Sequence, residues 1–336
     1  MYYDELSATM DHLLQDGKGI LAADESNGTI GKRFASIGVE NNEENRSHYR
    51  LLLATTEGLE EYINGVILFE ETLQNKDSHG TPIAELFTKK GILPGIKVDK
   101  GLVNLPHTED EKITQGLDGL TERLLQFKEQ GAKFAKWRNV YAISDYSPSL
   151  TAIKAGAEIL ARYAACCQAV GIVPIVEPEV LIDGDHSIEQ CAEACEMVLH
   201  ELFKALFIHQ VELELMILKP SMVTCGKDHA PFSSAEEIAD FTLSVFRNHV
   251  PAAVPSINFL SGGQTPQQAT ANLSELNSTG YQPWTLSFSY GRALQEDCLQ
   301  AWQGKPENMK SAQAVLLNRA RLNSLACFGE YHPDME

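Results

Sequence analysis

Eight short apolar runs recur along this chain, each ending in polar or charged residues and followed by a segment with helical spacing. They are GKGILAADE (17–25), NGVILFEET (64–72), GILPGIKVDK (91–100), GAKFAKWR (131–138), GIVPIVEPE (171–179), LELMILKP (213–220), INFLSGGQ (257–264) and WTLSFSYG (284–291). Strands this continuously apolar suit a parallel sheet, because helices cover both of its faces and neither face meets water. Taking Asp24, Glu70, Lys100, Lys136, Glu177, Lys219, Ser261 and Ser289 as strand-end markers, the units recur roughly every 38 residues, enough for a strand, a helix and two loops. Eight such units in one chain favour an α/β fold of the (β/α)8 TIM-barrel type over an open doubly wound sheet. No low-complexity tract or Pro/Ser-rich linker interrupts them, so residues 1–336 read as a single barrel domain.

The intervening helices have local start and stop signals. Ser187–Gln190 and Ser234–Glu237 match capping boxes, and Thr265, Pro266 and Gln268 combine a cap, an N1 proline and an N3 glutamine. Ser147-Pro148 is expected to open a helix that Gly171 stops.

Charge excludes some partners. Lys plus Arg number 27 against 46 Asp plus Glu, a formal charge of −19. Nucleic acid and anionic membranes both call for a cationic surface. The N-terminus, MYYDELSATM, lacks the basic-then-apolar order of a signal peptide, and no apolar run approaches the ~18 residues of a membrane span. The seven cysteines contain no C-x-x-C and are expected to be reduced structural thiols, with Cys191 and Cys195 on one helix face. The histidines are scattered, without H-x-H or H-E-x-x-H, and Asp183–His186 lacks the spacing of a calcium loop and reads as a turn. Neither a metal nor another cofactor is expected.

In a barrel of this kind the active site lies at the C-terminal ends of the strands. Those ends carry Asp24, Glu25 and Ser26; Asp99 and Lys100; Lys136 and Arg138; Glu177 and Glu179; Lys219; Ser261-Gly262-Gly263; and Ser289, Gly291 and Arg292. Charges at the ends of apolar strands are costly to desolvate, so they pair with one another or meet a ligand. A lysine among apolar residues and beside other cations becomes a nucleophile toward carbonyls. Lys219, after Leu215–Leu218 and before Pro220, suits that task; Lys136 is the other candidate, and spacing does not choose between them. Glu177 and Asp24 are expected to move protons, since a glutamate near a lysine is the type of pair that exchanges them during imine formation.

Two anion sites are expected on the same rim. Ser261-Gly262-Gly263 offers unobstructed backbone N–H groups ahead of the helix capped by Thr265, with Ser289, Gly291 and Arg292 in the next loop. Lys100, with Ser26 and Thr29, is the second. Two such sites fit a bisphosphate.

These segments resemble the class I fructose-bisphosphate aldolases. The resemblance rests on GKGILAADES, GVILFEETL, GIKVDKG, TQGLDGL, FAKWR, GIVPIVEPE, DGDH, LKPSMV, FLSGGQ and SFSYGRALQ, and extends from about Gly17 to Tyr331. It implies a metal-independent lyase that reversibly cleaves fructose 1,6-bisphosphate to dihydroxyacetone phosphate and glyceraldehyde 3-phosphate, in glycolysis and gluconeogenesis. Position by position, it implies that Lys219 forms the Schiff base, that Glu177 is the acid/base of imine formation, that Asp24 takes the C4 hydroxyl proton and that Lys136 is the neighbouring cation. Ser26, Thr29, Arg33, Lys100, Glu179, Ser261, Gly262, Gly263, Ser289, Gly291 and Arg292 fall on substrate-binding positions, with Arg46 and Arg138 as further candidates. Thr29 stands where many relatives carry serine and keeps the hydroxyl. The resemblance also implies a cytoplasmic homotetramer acting on small sugar phosphates. Animal members carry a longer tail whose terminal tyrosine exchanges the C3 proton; Tyr331 matches an earlier position, so Glu177 or a tyrosine from elsewhere is expected to serve. The alternatives are a barrel aldolase for another ketose phosphate, or a non-catalytic scaffold on the same fold; the presence of Asp24, Lys136, Glu177 and Lys219 argues against the scaffold.

Overall fold

A computed structural model describes residues 2–336. Ten strands form: β1 (Gly19–Ala23), β2 (Ile63–Leu68), β3 (Leu93–Lys97), β4 (Leu102–Asn104), β5 (Lys112–Thr114), β6 (Phe134–Tyr141), β7 (Val173–Val180), β8 (Ile217–Leu218), β9 (Ser256–Phe259) and β10 (Thr285–Tyr290). Eight of them close into a parallel barrel in the order β1-β10-β9-β8-β7-β6-β3-β2. All eight overlap the apolar runs, β6 extending three residues past its run, and β1, β2 and β7 are buried at every residue. The expected (β/α)8 barrel is present. The remaining pair, β4 and β5, is an antiparallel hairpin inserted after β3. Its strands are three residues each and no residue of β4 is buried, so they are too short to stand out as an apolar run in the sequence.

The helices are α1 (Tyr3–Leu13), α2 (Asn27–Ala35), α3 (Glu43–Ala54), α4 (Glu70–Gln74), α5 (Ile83–Lys89), α6 (Leu120–Glu129), α7 (Leu150–Ala169), α8 (Ile188–Ile208), α9 (Ala235–His249), α10 (Pro266–Ser278), α11 (Arg292–Trp302) and α12 (Met309–Ala326). Capping boxes start α8, α9 and α10 at Ser187, Ser234 and Thr265, as their sequences predict. Gly171 follows α7 with φ +76°. The start of α7 differs from the expectation at Ser147-Pro148: Ser149 is the cap, accepting from Ala152 N. A distant partner fixes it there, because the Glu111 carboxylate accepts from both Ser149 N (2.7 Å) and Ser149 Oγ (2.5 Å). Asp183–His186 forms the expected turn after β7.

Helix α1 lies outside the eightfold repeat and seals the N-terminal end of the barrel. Leu6, Met10 and Leu13 share one face by their i, i+4, i+7 spacing and are at most 2% exposed. They pack with Ile20, Ile67, Phe134, Val173, Ile175 and Ile217 inside the barrel. Each such side chain contributes about 1.5–3 kcal/mol by burial. The opposite end stays open.

Candidate active site

The strand register brings the charged residues together. Lys97 in β3 is level with Lys136 in β6, and Arg138 in β6 is level with Glu177 in β7. Lys136 and Arg138 are two residues apart, as are Glu177 and Glu179, so each pair occupies one face of its strand. β6 and β7 each run eight residues, so Lys136 and Glu177 project from within strands rather than from their ends. Asp24 directly follows β1 and Lys219 directly follows β8, with Lys219 N donating to Val176 O at 2.8 Å.

Lys136 Nζ lies 2.8 Å from Asp24 Oδ2 and 3.1 Å from Glu177 Oε2, and Lys219 Nζ lies 3.3 Å from Glu177 Oε1. All four residues are buried. Burial opposes ionisation of Asp24, but Lys136 and Lys219 outweigh it and hold its pKa at about 2. Glu177 is also lowered: burial pulls it up, and the same two lysines pull it further down. For Lys136, burial disfavours the ammonium, yet Asp24 and Glu177 raise its proton affinity above the ordinary lysine range. Held between two carboxylates, Lys136 keeps its proton. Lys219 meets one carboxylate oxygen, Glu177 Oε1, at the longer distance of 3.3 Å.

These side chains line the floor of a cavity of about 570 Å³. Of the expected substrate-binding residues, Ser26, Thr29, Arg33, Glu179, Ser261, Gly262, Gly263, Ser289, Gly291 and Arg292 line it too, as does Arg138. Ser289 Oγ is buried and has no hydrogen-bond partner among the described residues, which leaves it available to a ligand. The Ser261-Gly262-Gly263 loop depends on glycine: Gly263 has φ +91°, and a Cβ there would lie 2.6 Å from Ile182 Cγ2. On the opposite rim Ser26 caps α2, and its Oγ lies 3.1 Å from Thr29 Oγ1, so two hydroxyls sit at a helix N-terminus.

Lys100 is the exception. It is exposed and does not line the cavity; Lys97 does. The chain leaves the barrel after Lys97, Asp99 turns back to accept from Lys97 Nζ at 2.7 Å, and Lys100 N bonds Gln115 O at the root of the hairpin. Two lysines within four residues gave no local clue to which one precedes the exit. Lys32, one residue from Arg33 on α2, also lines the mouth, and no sequence motif marks it. Arg46 is drawn away by Glu71, with two contacts of 2.7 Å. None of the described residues lining the cavity is a tyrosine. Tyr331 instead donates to Glu336 Oε1 at 2.8 Å. Seven cations and five carboxylates line the mouth of a chain whose net charge is −19.

The family model for fructose-bisphosphate aldolase class-I matches residues 5–336. The chain belongs to that family. It is 55% identical over 329 residues to fructose-bisphosphate aldolase 1 of Toxoplasma gondii, covering 97% of this chain and 91% of that protein. It is 53% identical over 331 residues to the cytosolic fructose-bisphosphate aldolase 5 of Arabidopsis thaliana, covering 98% and 92%. A crystal structure of fructose-bisphosphate aldolase from Plasmodium falciparum, in ternary complex with TRAP and a small-molecule inhibitor, superposes with a TM-score of 0.97 at 51% identity, covering 98% of this chain and 96% of that one. Class-I membership makes this protein an aldolase lyase of glycolysis, with the Schiff-base, metal-independent chemistry of its class. Among the described residues, no group of three His, Cys, Asp or Glu is placed to hold a metal ion. All seven cysteines are free, and Cys191 and Cys195 share a face of α8 with sulfurs 4.0 Å apart.

Proposed function

We propose that the protein cleaves fructose 1,6-bisphosphate through an imine on Lys219, and that the observation carrying this is the Lys219–Glu177–Lys136–Asp24 cluster beneath a cationic mouth. The ionised Glu177 takes a proton from Lys219, and the free amine attacks the C2 carbonyl. Glu177 then returns the proton to the carbinolamine hydroxyl, water leaves and a protonated imine remains. Asp24 takes the C4 hydroxyl proton as the C3–C4 bond breaks. The electron pair flows into the imine and the aldehyde product departs. Lys136 stays cationic throughout, stabilising the carboxylates on either side. Lys136, between Asp24 Oδ2 and Glu177 Oε2, hands a proton to Glu177 as it takes the one Asp24 received from the C4 hydroxyl, and Glu177 delivers it to C3 of the enamine.

Ser261, Gly262, Gly263, Ser289, Gly291 and Arg292 bind the C1 phosphate, and Ser26, Thr29, Lys32, Arg33 and Lys97 bind the distal C6 phosphate. Glu179 offsets and orients Arg138, with which it forms an ion pair. Exposed Phe207 and Ile208 at the end of α8 support assembly into a homotetramer, and light scattering that shows a monomer would remove that part. No described helix is long and apolar enough to cross a membrane, and the cytosolic naming of plant relatives supports a cytoplasmic location.

The test is borohydride reduction in the presence of dihydroxyacetone phosphate, with mass-spectrometric location of the adduct. One adduct on Lys219 is expected. An adduct confined to Lys136, or none, overturns the mechanism.

A further inference from the structure

A buried triad of charges lies under the rim of the mouth. Glu25, next to Asp24, is 4% exposed in its side chain and pairs through Oε1 with Arg33 Nη1; Arg50 Nη2 lies 2.8 Å from Oε2. Arg33 faces the cavity, whereas Arg50, on α3, is 4% exposed and is not part of the lining. Gln295 from α11 holds the carboxylate from a third side, donating to Glu25 Oε1 at 3.0 Å and to Ala22 O at 2.8 Å while accepting from Tyr49 OH at 3.2 Å. The Arg50 contact is an ion pair without an aligned hydrogen bond, and Arg50 Nη1 is buried with no acceptor among the described residues.

Orienting Glu25 does not require this second arginine, because Arg33 and the neutral Gln295 already grip Oε1. Burying a guanidinium with an unsatisfied nitrogen is costly. What Arg50 changes is charge. Arg33 and Glu25 alone sum to zero, so the carboxylate would cancel the cation that faces the substrate. With Arg50 the triad carries +1. We infer that Arg50 is a positioning residue for substrate binding: from outside the cavity it neutralises Glu25, so that Glu25 can orient Arg33 without cancelling its charge toward the distal phosphate. This rests on the assignment of Arg33 to that phosphate in the proposed function.

Steady-state kinetics on fructose 1,6-bisphosphate and fructose 1-phosphate test the inference, using the full chain and four variants. Arg50→Gln should raise KM for the bisphosphate about tenfold, the effect of one charge at roughly 10 Å and an effective dielectric near 20, with kcat within about twofold. KM for the monophosphate, which lacks the distal group, should stay within about twofold. Arg50→Lys should retain most of the wild-type KM. Glu25→Gln leaves the triad at +2, and adding Arg50→Gln to it returns the triad to +1. The order of KM should therefore be Arg50→Gln above the double variant, and the double variant above Glu25→Gln. If Arg50→Gln does not fold, the step from Glu25→Gln to the double variant carries the same test without a buried carboxylate that has lost a partner. Equal losses on both substrates, or a double variant no weaker in binding than Glu25→Gln, overturn the inference. Wild-type cleavage and trapping on Lys219 report on the aldolase assignment separately, so failure of one does not imitate failure of the other.

Discussion

The same strands build two opposite environments at the two ends of the barrel. At the N-terminal end, Ile20, Phe134, Ile175 and Ile217 pack against Leu6, Met10 and Leu13 of α1 in an apolar plug. Two residues further along β6, β7 and the β8 exit, the side chains are Lys136, Glu177 and Lys219; four further along β1 is Asp24. Two residues of strand rise about 6.6 Å, so apolar packing gives way to a buried ion cluster within one side-chain layer. The plug holds the strands in register, and the register aligns the ions. The polar layer gains nothing comparable from its own burial, since desolvating ions offsets most of their attraction. One end should therefore be separable from the other by mutation.

The largest effect belongs to the polar layer. Lys219→Met should abolish cleavage, by on the order of 10⁴-fold or more, because the covalent route is lost rather than slowed. Denaturant unfolding should be little changed, since Met fills a similar volume and leaves Glu177 paired with Lys136 at 3.1 Å. A variant with substantial turnover would show that another lysine carries the imine.

Next in size is the apolar layer. Phe134 is fully buried, and its ring fills the space that side chains at Gly65 and Gly95 would otherwise occupy. Phe134→Ala should cost about 3–5 kcal/mol in unfolding free energy. Turnover of the folded fraction at low temperature should remain within about threefold. If kcat falls as far as stability does, the two layers are not separable and the plug takes part in positioning Lys136.

A third experiment compares two lysines of one segment. Lys97→Met should raise KM for the bisphosphate about tenfold, whereas Lys100→Met, exposed at the hairpin root, should change it less than twofold. The reverse outcome would return the phosphate site to Lys100 and require the hairpin to fold over the mouth.

That pair also marks the limit of what the sequence makes legible. The eight strands can be read because burial on both faces leaves uninterrupted apolar runs, and the starts of α8, α9 and α10 because capping boxes are local. Asp24, Lys136, Glu177 and Lys219 can be picked out because charges directly after or within apolar runs have few structural uses. Lys97 is not legible, because the point at which the strand ends is set by the β4–β5 hairpin, whose three-residue strands are too short to stand out. Ser149 is missed in favour of Ser147 because its deciding partner, Glu111, lies 38 residues away. The Glu25–Arg50 pair is hidden for the same reason: its two halves lie on different elements, and only packing brings them to 2.8 Å.

The smallest effect concerns acid. Asp24 is held at about 2, below its ordinary value of 3.8, by Lys136 and Lys219 against the cost of burial. A carboxylate whose folded pKa is depressed adds stability that is complete above its unfolded pKa and disappears as pH falls through the folded one. Its contribution should thus be present at pH 5 and lost between about pH 4 and pH 2. Over that interval the unfolding free energy of the wild type should fall more steeply than that of Asp24→Asn. The difference in slope approaches one proton, because the unfolded chain binds a proton that the folded chain does not. Phe134→Ala, at the other end, should lower the whole curve without changing this slope. Parallel curves for wild type and Asp24→Asn would mean that Asp24 is not charged against Lys136, leaving Glu177 as the carboxylate that holds that lysine in its protonated state.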